Sequence, residues 1–290
     1  MQNTDDFSIQ HSIDNGIERI TYFPRLRRFK TPILLQHGMW HAAWCWQPWQ
    51  ELFAAWGWET HAFSLPGHGA SPVQRPTRWA TLGYYFEFLM AEIERLPHRP
   101  VLMGHSMGGA LTQWYLKYAN DPSTRGAKQP QSGQVLPAAV LVAPWTSHTM
   151  LPSVFRSVPR DPWGTLLCGL TLTSTPAVRS PARAAEMFIH PGALYSPEEL
   201  HARLGPESFL VLWQYNPLLW SPTQRTSIPL LWLAGAEDVL IAEPESRRSA
   251  AHYRADYTVV PDAGHNLMME KSYQETAQTI HKWLIQRGIS

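Results

Sequence analysis

Residues 100–110 have the sequence Pro100-Val101-Leu102-Met103-Gly104-His105-Ser106-Met107-Gly108-Gly109-Ala110. An apolar run typical of a buried strand meets a Gly-x-Ser-x-Gly turn, and a helix-like segment follows directly. Such a turn strains the backbone of its serine, so side chains two residues to either side would clash; Gly104 and Gly108 occupy those positions. We predict that the Ser106 hydroxyl projects above a sheet as a nucleophile, at a helix N-terminus that favours developing negative charge.

A pattern this short also occurs by chance, and the alternative is a glycine-rich turn that carries an ordinary exposed serine. The two interpretations differ in what the rest of the chain must supply. A serine hydroxyl is a poor nucleophile at neutral pH and needs an adjacent base, an acid that orients the base, and two donors for the oxyanion. The remaining motifs therefore decide between the two interpretations.

The base is selected from 13 histidines by its position. In the order serine, acid, histidine that accompanies this motif, the histidine follows the last strand. His265 lies after the final apolar run and is the predicted base; the alternative is a histidine that only caps the last helix. Asp238 follows the preceding strand, 27 residues before His265, and is the predicted acid, with Glu237 as the alternative if the register differs by one.

Two backbone amides are predicted to bind the oxyanion. One belongs to Met107, the residue after the nucleophile, and the other to Met39, in the loop after a strand that ends in His37-Gly38. The substrate pocket is expected to be largely aromatic. Its predicted lining residues are Trp40, His41, Trp145, Trp163 and Trp213.

Short apolar runs alternate with helix-like segments along most of the chain. This alternation predicts the α/β class, with a mostly parallel sheet of about eight strands flanked by helices. An edge strand is expected at Gly16–Phe23. The buried strands, besides the one at 100–104, are expected at 32–38, 60–64, 138–143, 228–235 and 257–260.

About 80 residues separate the strands that end at Ala143 and begin at Ile228, too many for an ordinary crossover. Five helix-like pieces broken by prolines occupy this interval. We predict a core formed by residues 1–143 and 227–290, with residues 144–226 inserted as a helical cap over one edge of the sheet. A polar stretch at 120–136 is predicted to be a surface loop.

Composition excludes several classes of function. The net charge of +1 gives no electrostatic reason to expect nucleic acid as a partner. Cys45 and Cys168 make no disulfide framework and have no metal-ligand spacing around them, so no metal or cofactor is predicted. The polar first residues and the absence of a long apolar run predict a cytoplasmic protein with no integral membrane segment.

Four separated segments, together with a Pro-Gly-His-Gly loop, resemble the α/β-hydrolase superfamily. They are His37-Gly38-Met39-Trp40, Gly104-His105-Ser106-Met107-Gly108-Gly109, Ala236-Glu237-Asp238 and Gly264-His265, and the loop is at 65–71. The stretch from His37 to Trp46 also looks like plant esterases and hydroxynitrile lyases, and the serine turn resembles those of lysophospholipase-like and monoglyceride-lipase-like members. Serine at 106 argues against the dehalogenase and epoxide hydrolase members, which use a carboxylate nucleophile.

The resemblance and the motifs together favour a cofactor-independent serine hydrolase that cleaves a small apolar carboxylic ester through an acyl-enzyme on Ser106. One alternative is a lyase or carbon–carbon bond hydrolase with the same triad; a lyase of this fold adds a lysine near the pocket, and neither Lys117 nor Lys128 is obviously placed for that role. Another alternative is a non-catalytic member that only binds its ligand. The sequence leaves a homodimer open.

Overall fold

The structure, a computed structural model, describes residues 2–3, 6–118, 135–224 and 226–290. The surface loop predicted at 120–136 lies outside the described residues apart from its last two, and so does Lys128. None of the described helices is long and apolar enough to cross a membrane.

The described residues form one sheet of nine strands in the spatial order β1-β2-β3-β5-β4-β6-β7-β8-β9. β1 to β3 and the pair β3–β5 are antiparallel, whereas all remaining pairs are parallel. The strands are β1 (Gln2–Asn3), β2 (Phe7–Asp14), β3 (Ile17–Pro24), β4 (Ile33–Gln36), β5 (Thr60–Phe63), β6 (Val101–His105), β7 (Ala139–Val142), β8 (Leu230–Gly235) and β9 (Asp256–Val260).

The mostly parallel α/β sheet is confirmed, and its central strands lie where the apolar runs predict them. The two strands before β3 carry no clear sequence signal. β2 has a polar, half-exposed sequence and is stabilised by its antiparallel pairing with β3 along its whole length. Because most of its side chains are exposed or only half-buried, an apolar pattern does not reveal it.

Five helices follow or precede the parallel strands and flank the sheet. Helix α1 packs against α10, and α2 packs against α3. These helices are α1 (Gln47–Ala55), α2 (Leu82–Arg95), α3 (Met107–Tyr118), α9 (Glu243–Tyr253) and α10 (Tyr273–Gln286).

The inserted segment, residues 144–226, contributes five further α-helices within its described part. They are α4 (Leu151–Arg160), α5 (Pro162–Thr171), α6 (Pro181–Phe188), α7 (Pro197–Arg203) and α8 (Leu210–Trp213). In four of them a proline occupies the first turn, where its missing N–H has no helical partner to lose. Four of the prolines that interrupt the sequence pattern are therefore helix starts, whereas Pro159 lies inside α4.

One connected cluster of buried apolar side chains extends from the sheet into the inserted segment. Phe188 of α6, Leu200 of α7 and Val211 of α8 belong to the same cluster as the β6 and β7 side chains. Most of the 14 tryptophans are also buried in this cluster. The inserted segment therefore shares the core of the sheet instead of burying an apolar centre of its own.

Candidate active site

Ser106 occupies the turn between β6 and α3. Its φ of +52° lies in the left-handed region, which a residue with a Cβ adopts only at a cost. Three hydrogen bonds hold it there. The Ser106 N–H donates to the Val142 carbonyl at 3.0 Å, and the Ser106 carbonyl accepts from the N–H groups of Ala110 at 3.1 Å and Trp145 at 3.3 Å. The strained serine expected from the sequence is present, and its strain is balanced by the surrounding backbone.

The two flanking glycines allow the backbone of this turn to approach its neighbours. A Cβ on Gly104 would lie 2.4 Å from the Gly108 carbonyl oxygen, and a Cβ on Gly108 would lie 2.3 Å from the Gln36 carbonyl oxygen. Both contacts are with backbone atoms, which cannot rotate away. The spacing of the motif therefore has the steric cause that the sequence indicates.

His265 and Asp238 meet at the same end of the sheet. His265 Nδ1 donates to Asp238 Oδ2 at 2.7 Å, and both side chains are buried. The other carboxylate oxygen, Oδ1, accepts from the N–H groups of Leu240 and Ile241 at 2.8 and 2.9 Å. Three donors therefore fix the carboxylate, which in turn fixes the tautomer and orientation of the imidazole. The alternative acid, Glu237, is exposed.

The second ring nitrogen of His265, Nε2, is buried and has no hydrogen-bond partner among the described residues. His265 and Ser106 line the same cavity. An imidazole held in this tautomer keeps the Nε2 lone pair free to accept a proton. The structure thus places a strained serine and an oriented imidazole with an unused Nε2 in one site.

The loop after β4 passes directly beside the serine. A Cβ on Gly38 would lie 2.8 Å from Ser106 Cβ, so only glycine permits this approach. Among the described residues, no hydrogen bond uses the backbone N–H of Met39 or of Met107. Two unused amides next to Ser106 are the chemical requirement for binding an oxyanion.

Three buried histidines support these loops. His37 donates from Nδ1 to the Gly38 carbonyl at 2.8 Å and accepts at Nε2 from the Leu65 N–H at 3.0 Å. His105 shares a 3.2 Å hydrogen bond with the backbone carbonyl of His265. Burial holds the pKa of both imidazoles well below the usual value, so they are neutral.

The third, His41, was predicted to line the pocket, but it lies behind the Met39 loop. It donates from Nδ1 to the Met39 carbonyl at 2.7 Å and accepts from the Asn266 side-chain amide at 2.9 Å. Burial lowers its pKa to about 4. His41 therefore connects the loop of Met39 to the residue after His265. Sequence reasoning missed Asn266 because nothing in its own stretch indicates a partner 225 positions away.

The cavity above Ser106 has a volume of about 130 Å³. The sheet side of its lining is apolar and includes Met39 and two of the predicted residues, Trp40 and Trp145. Helices α4 to α6 and α8 supply much of the rest, with apolar side chains that include Val154, Met187 and Leu212. Most of the cavity wall therefore suits an apolar ligand.

Trp163 and Trp213 do not line this cavity. Their exposed fractions are 63% and 64%. Helix α5 faces the cavity with Thr165, which lies about 200° around the helix from Trp163. Helix α8 faces the cavity with Leu212, the neighbour of Trp213 in the chain. An aromatic residue in a helix of the inserted segment is thus not by itself a sign of the pocket.

Among the described residues no group of three or more His, Cys, Asp or Glu side chains is arranged to hold a metal ion. The polar groups at the site are the serine, the His265–Asp238 pair and backbone amides. The chemistry that they can perform is nucleophilic attack with proton transfer.

Residues 33–279 match the model of the alpha/beta hydrolase family. The chain belongs to that family. Over 82 residues this hydrolase-family chain is 37% identical to Methylesterase 2 of Arabidopsis thaliana and 35% identical to Methylesterase 3 of the same plant. Each match covers 28% of the chain and 31% of the relative, so the chain spans about a third of the length of these relatives.

Solved structures resemble this family member over nearly the whole chain. The monoacylglycerol lipase of Paleococcus ferrophilus has a TM-score of 0.65 at 20% identity, with 93% of this chain and 99% of that chain covered. A soluble variant of the monoglyceride lipase of Saccharomyces cerevisiae has a TM-score of 0.66 at 17% identity, with 98% and 97% covered. At these identities the likeness shows the fold.

Proposed function

We propose that this member of the alpha/beta hydrolase family is a serine hydrolase that cleaves a carboxylic ester with an apolar acyl or alcohol part. One observation carries the proposal: His265 is held by Asp238 at 2.7 Å, keeps Nε2 unused, and lines one cavity with Ser106. The similarity to methylesterases and to a monoacylglycerol lipase is consistent with an ester substrate.

In the proposed mechanism, Ser106 Oγ attacks the ester carbonyl while His265 Nε2 takes its proton. The carbonyl oxygen becomes an oxyanion bound by the Met39 and Met107 amides, and Asp238 stabilises the imidazolium. Collapse of the intermediate expels the alcohol, which receives the proton from His265, and leaves an acyl-enzyme. Water then gives a proton to His265 Nε2 and attacks the acyl carbon. Collapse of this second intermediate breaks the bond to Ser106 Oγ, which takes the proton back from His265, and the acid is released.

The inserted segment is proposed to act as a cap that selects the substrate. Its helices supply much of the apolar lining, whereas the proposed reacting groups all come from loops at the ends of the strands. Such a division lets the cap change the accepted acyl or alcohol part while the chemistry stays the same. We expect apolar esters to be cleaved better than charged ones.

The test combines a p-nitrophenyl ester chain-length series with a serine-directed phosphonate. Wild-type protein should cleave the esters and be labelled by the phosphonate at Ser106, and Ser106→Ala should lose both properties. Full esterase activity in Ser106→Ala would show that the nucleophile is assigned wrongly. The lyase alternative is tested by cyanide release. It gains no support from Lys117, whose Nζ donates to the Ser221 carbonyl at 2.7 Å and which does not line the cavity.

A further inference from the structure

Glu270 is a buried acid that takes no part in the proposed mechanism. It is 1% exposed and follows His265 by five residues, in the loop between β9 and α10, which we call the histidine loop (residues 261–272). Its Oε1 accepts from the Gly264 N–H at 2.8 Å and from the His190 N–H at 3.0 Å. One oxygen therefore joins the residue before His265 to the inserted segment.

The contact with Gly264 is tight. A Cβ on Gly264 would lie 2.8 Å from Glu270 Oε1 and 3.4 Å from the His190 nitrogen. No other hydrogen bond of the described residues uses the Gly264 N–H. Without Glu270 this amide would be buried and unsatisfied. The Ala263–Gly264 peptide would then be held only at its carbonyl, which accepts from the Glu237 N–H at 2.9 Å.

Two more hydrogen bonds join the inserted segment to the histidine loop. The Asn266 N–H donates to the Phe188 carbonyl, and the Leu194 N–H donates to the Met269 carbonyl, both at 2.8 Å. Residues 188–194 of the inserted segment therefore run along the histidine loop from Gly264 to Glu270. The base is held from the cap side as well as by Asp238.

Keeping a carboxyl group at this position is costly. Burial raises the pKa of Glu270 to about 7, although hydrogen bonds from the Gly264 and His190 amides lower it. An apolar residue of similar size would avoid that cost but could not accept from either N–H group. The acceptor oxygen is therefore the property that the site uses.

We propose that Glu270 is a positioning residue for the base: its oxygen fixes the Gly264 peptide, and so the direction of the His265 imidazole, and links that direction to the seating of residues 188–194. This inference rests on the proposed function, because it concerns the base of that reaction. It assigns to Glu270 no contact with substrate. A displacement of about 1 Å at a base can cost about 100-fold in rate, so a lost anchor should affect kcat.

Three substitutions separate acceptor position from charge. Glu270→Gln keeps an oxygen at the same reach without the charge, Glu270→Asp keeps the charge but withdraws the oxygen, and Glu270→Leu removes the acceptor at similar size. Active sites are titrated to completion with the phosphonate, and kcat and KM are then measured per titrated site with the best p-nitrophenyl ester. Glu92→Gln, a buried acid paired with Arg19 outside the cavity, is the matched control.

We expect Glu270→Gln and the control to retain kcat per titrated site within about threefold, and Glu270→Asp and Glu270→Leu to lose about 10- to 100-fold with a smaller change in KM. If Glu270→Leu does not fold, the Gln and Asp variants decide. Equal kcat values per titrated site, or retention in Asp with loss in Gln, would overturn the proposal. Failure of the proposed function is recognised separately, by a wild-type protein that the phosphonate does not label.

Discussion

Two helical glycines show how differently the serine turn and the inserted segment are built. In α3, a Cβ on Gly108 would lie 2.3 Å from the Gln36 carbonyl oxygen, whereas in α5 a Cβ on Gly169 would meet nothing within 4 Å. The backbone around Ser106 has no spare space, and the outer side of the inserted segment is open. The difference indicates that the serine turn is held by steric necessity, while the inserted segment can change its outer surface without disturbing that turn.

The exposure of apolar side chains also differs between the serine turn and the inserted segment. In β6 and α3 the apolar side chains are almost all buried, but Phe155 of α4 and Leu170 of α5 are exposed at 68% and 71%. The cavity side of these helices includes smaller or polar residues such as Ser153 and Cys168. Hydrophobicity therefore locates the buried strands reliably, but it does not identify which side of a helix of the inserted segment faces the cavity.

The largest effect on kcat is expected from a substitution of Asp238, the residue that holds His265. Asp238→Asn should lower kcat about 10³- to 10⁴-fold, because an amide at this position no longer accepts the His265 Nδ1 proton and the other imidazole tautomer is favoured. The steady-state rate with a p-nitrophenyl ester measures it. The neighbouring exposed acid provides the control, since Glu237→Gln should leave kcat within about twofold. A similar loss in both variants would contradict the assignment of Asp238.

The glycine comparison itself can be tested by one pair of substitutions. Gly108→Ala should lower the free energy of unfolding by about 2–4 kcal/mol, because its Cβ overlaps a fixed carbonyl. Gly169→Ala should raise it by about 0.5–1 kcal/mol, because alanine favours the helix and meets no neighbour. Urea unfolding measures both values. Equal effects would show that the two helices are not packed differently.

Stability should depend on pH through Glu270. Burial raises its pKa from the ordinary value of 4.5 to about 7 in the folded protein, although hydrogen bonds from the Gly264 and His190 amides lower it. The folded state therefore binds the proton more tightly, so this contribution to stability is present at low pH and is lost as pH rises through about 7. In Glu270→Gln, the loss of unfolding free energy between pH 5 and 8 should be smaller, by on the order of 2 kcal/mol. Parallel pH curves for the two proteins would contradict this.

The smallest effect on kcat/KM is expected from the exposed aromatic side chains of the inserted segment. Trp163→Ser should leave kcat/KM within about twofold for every ester, because surface substitutions rarely exceed about 0.5 kcal/mol. Trp145→Phe, in the cavity wall, should change the preference between short and long acyl chains by about tenfold. The p-nitrophenyl series measures both. A changed preference in Trp163→Ser would show that this side chain reaches the substrate.

Much of the fold could be predicted because its signals are local. A buried parallel strand needs an apolar run wherever it lies, and the turn at Ser106 needs glycine at fixed spacings. The half-exposed β2 could not be predicted from the sequence, because its stability comes from pairing with β3 and not from its own composition. The helices of the inserted segment were found because their first-turn prolines and amphipathic patterns are also local.

The candidate site was predictable to the extent that chain order reflects sheet topology. Asp238 and His265 follow successive parallel strands, so their side chains had to meet at one edge. His41, Trp163 and Trp213 were misplaced because the direction of a side chain depends on the packing of its whole element. Glu270 and Asn266 went unnoticed because their partners lie in distant segments.

The strand–turn–helix around Ser106 can be predicted from local sequence, because the steric demands of that turn are met within a few residues. The sequence also determined the order of serine, acid and histidine along the chain. Only the tertiary structure decided which residues of the inserted segment line the cavity and which acid braces the histidine loop. Those choices depend on contacts between segments far apart in the chain, such as Glu270 with His190, and no local pattern records them.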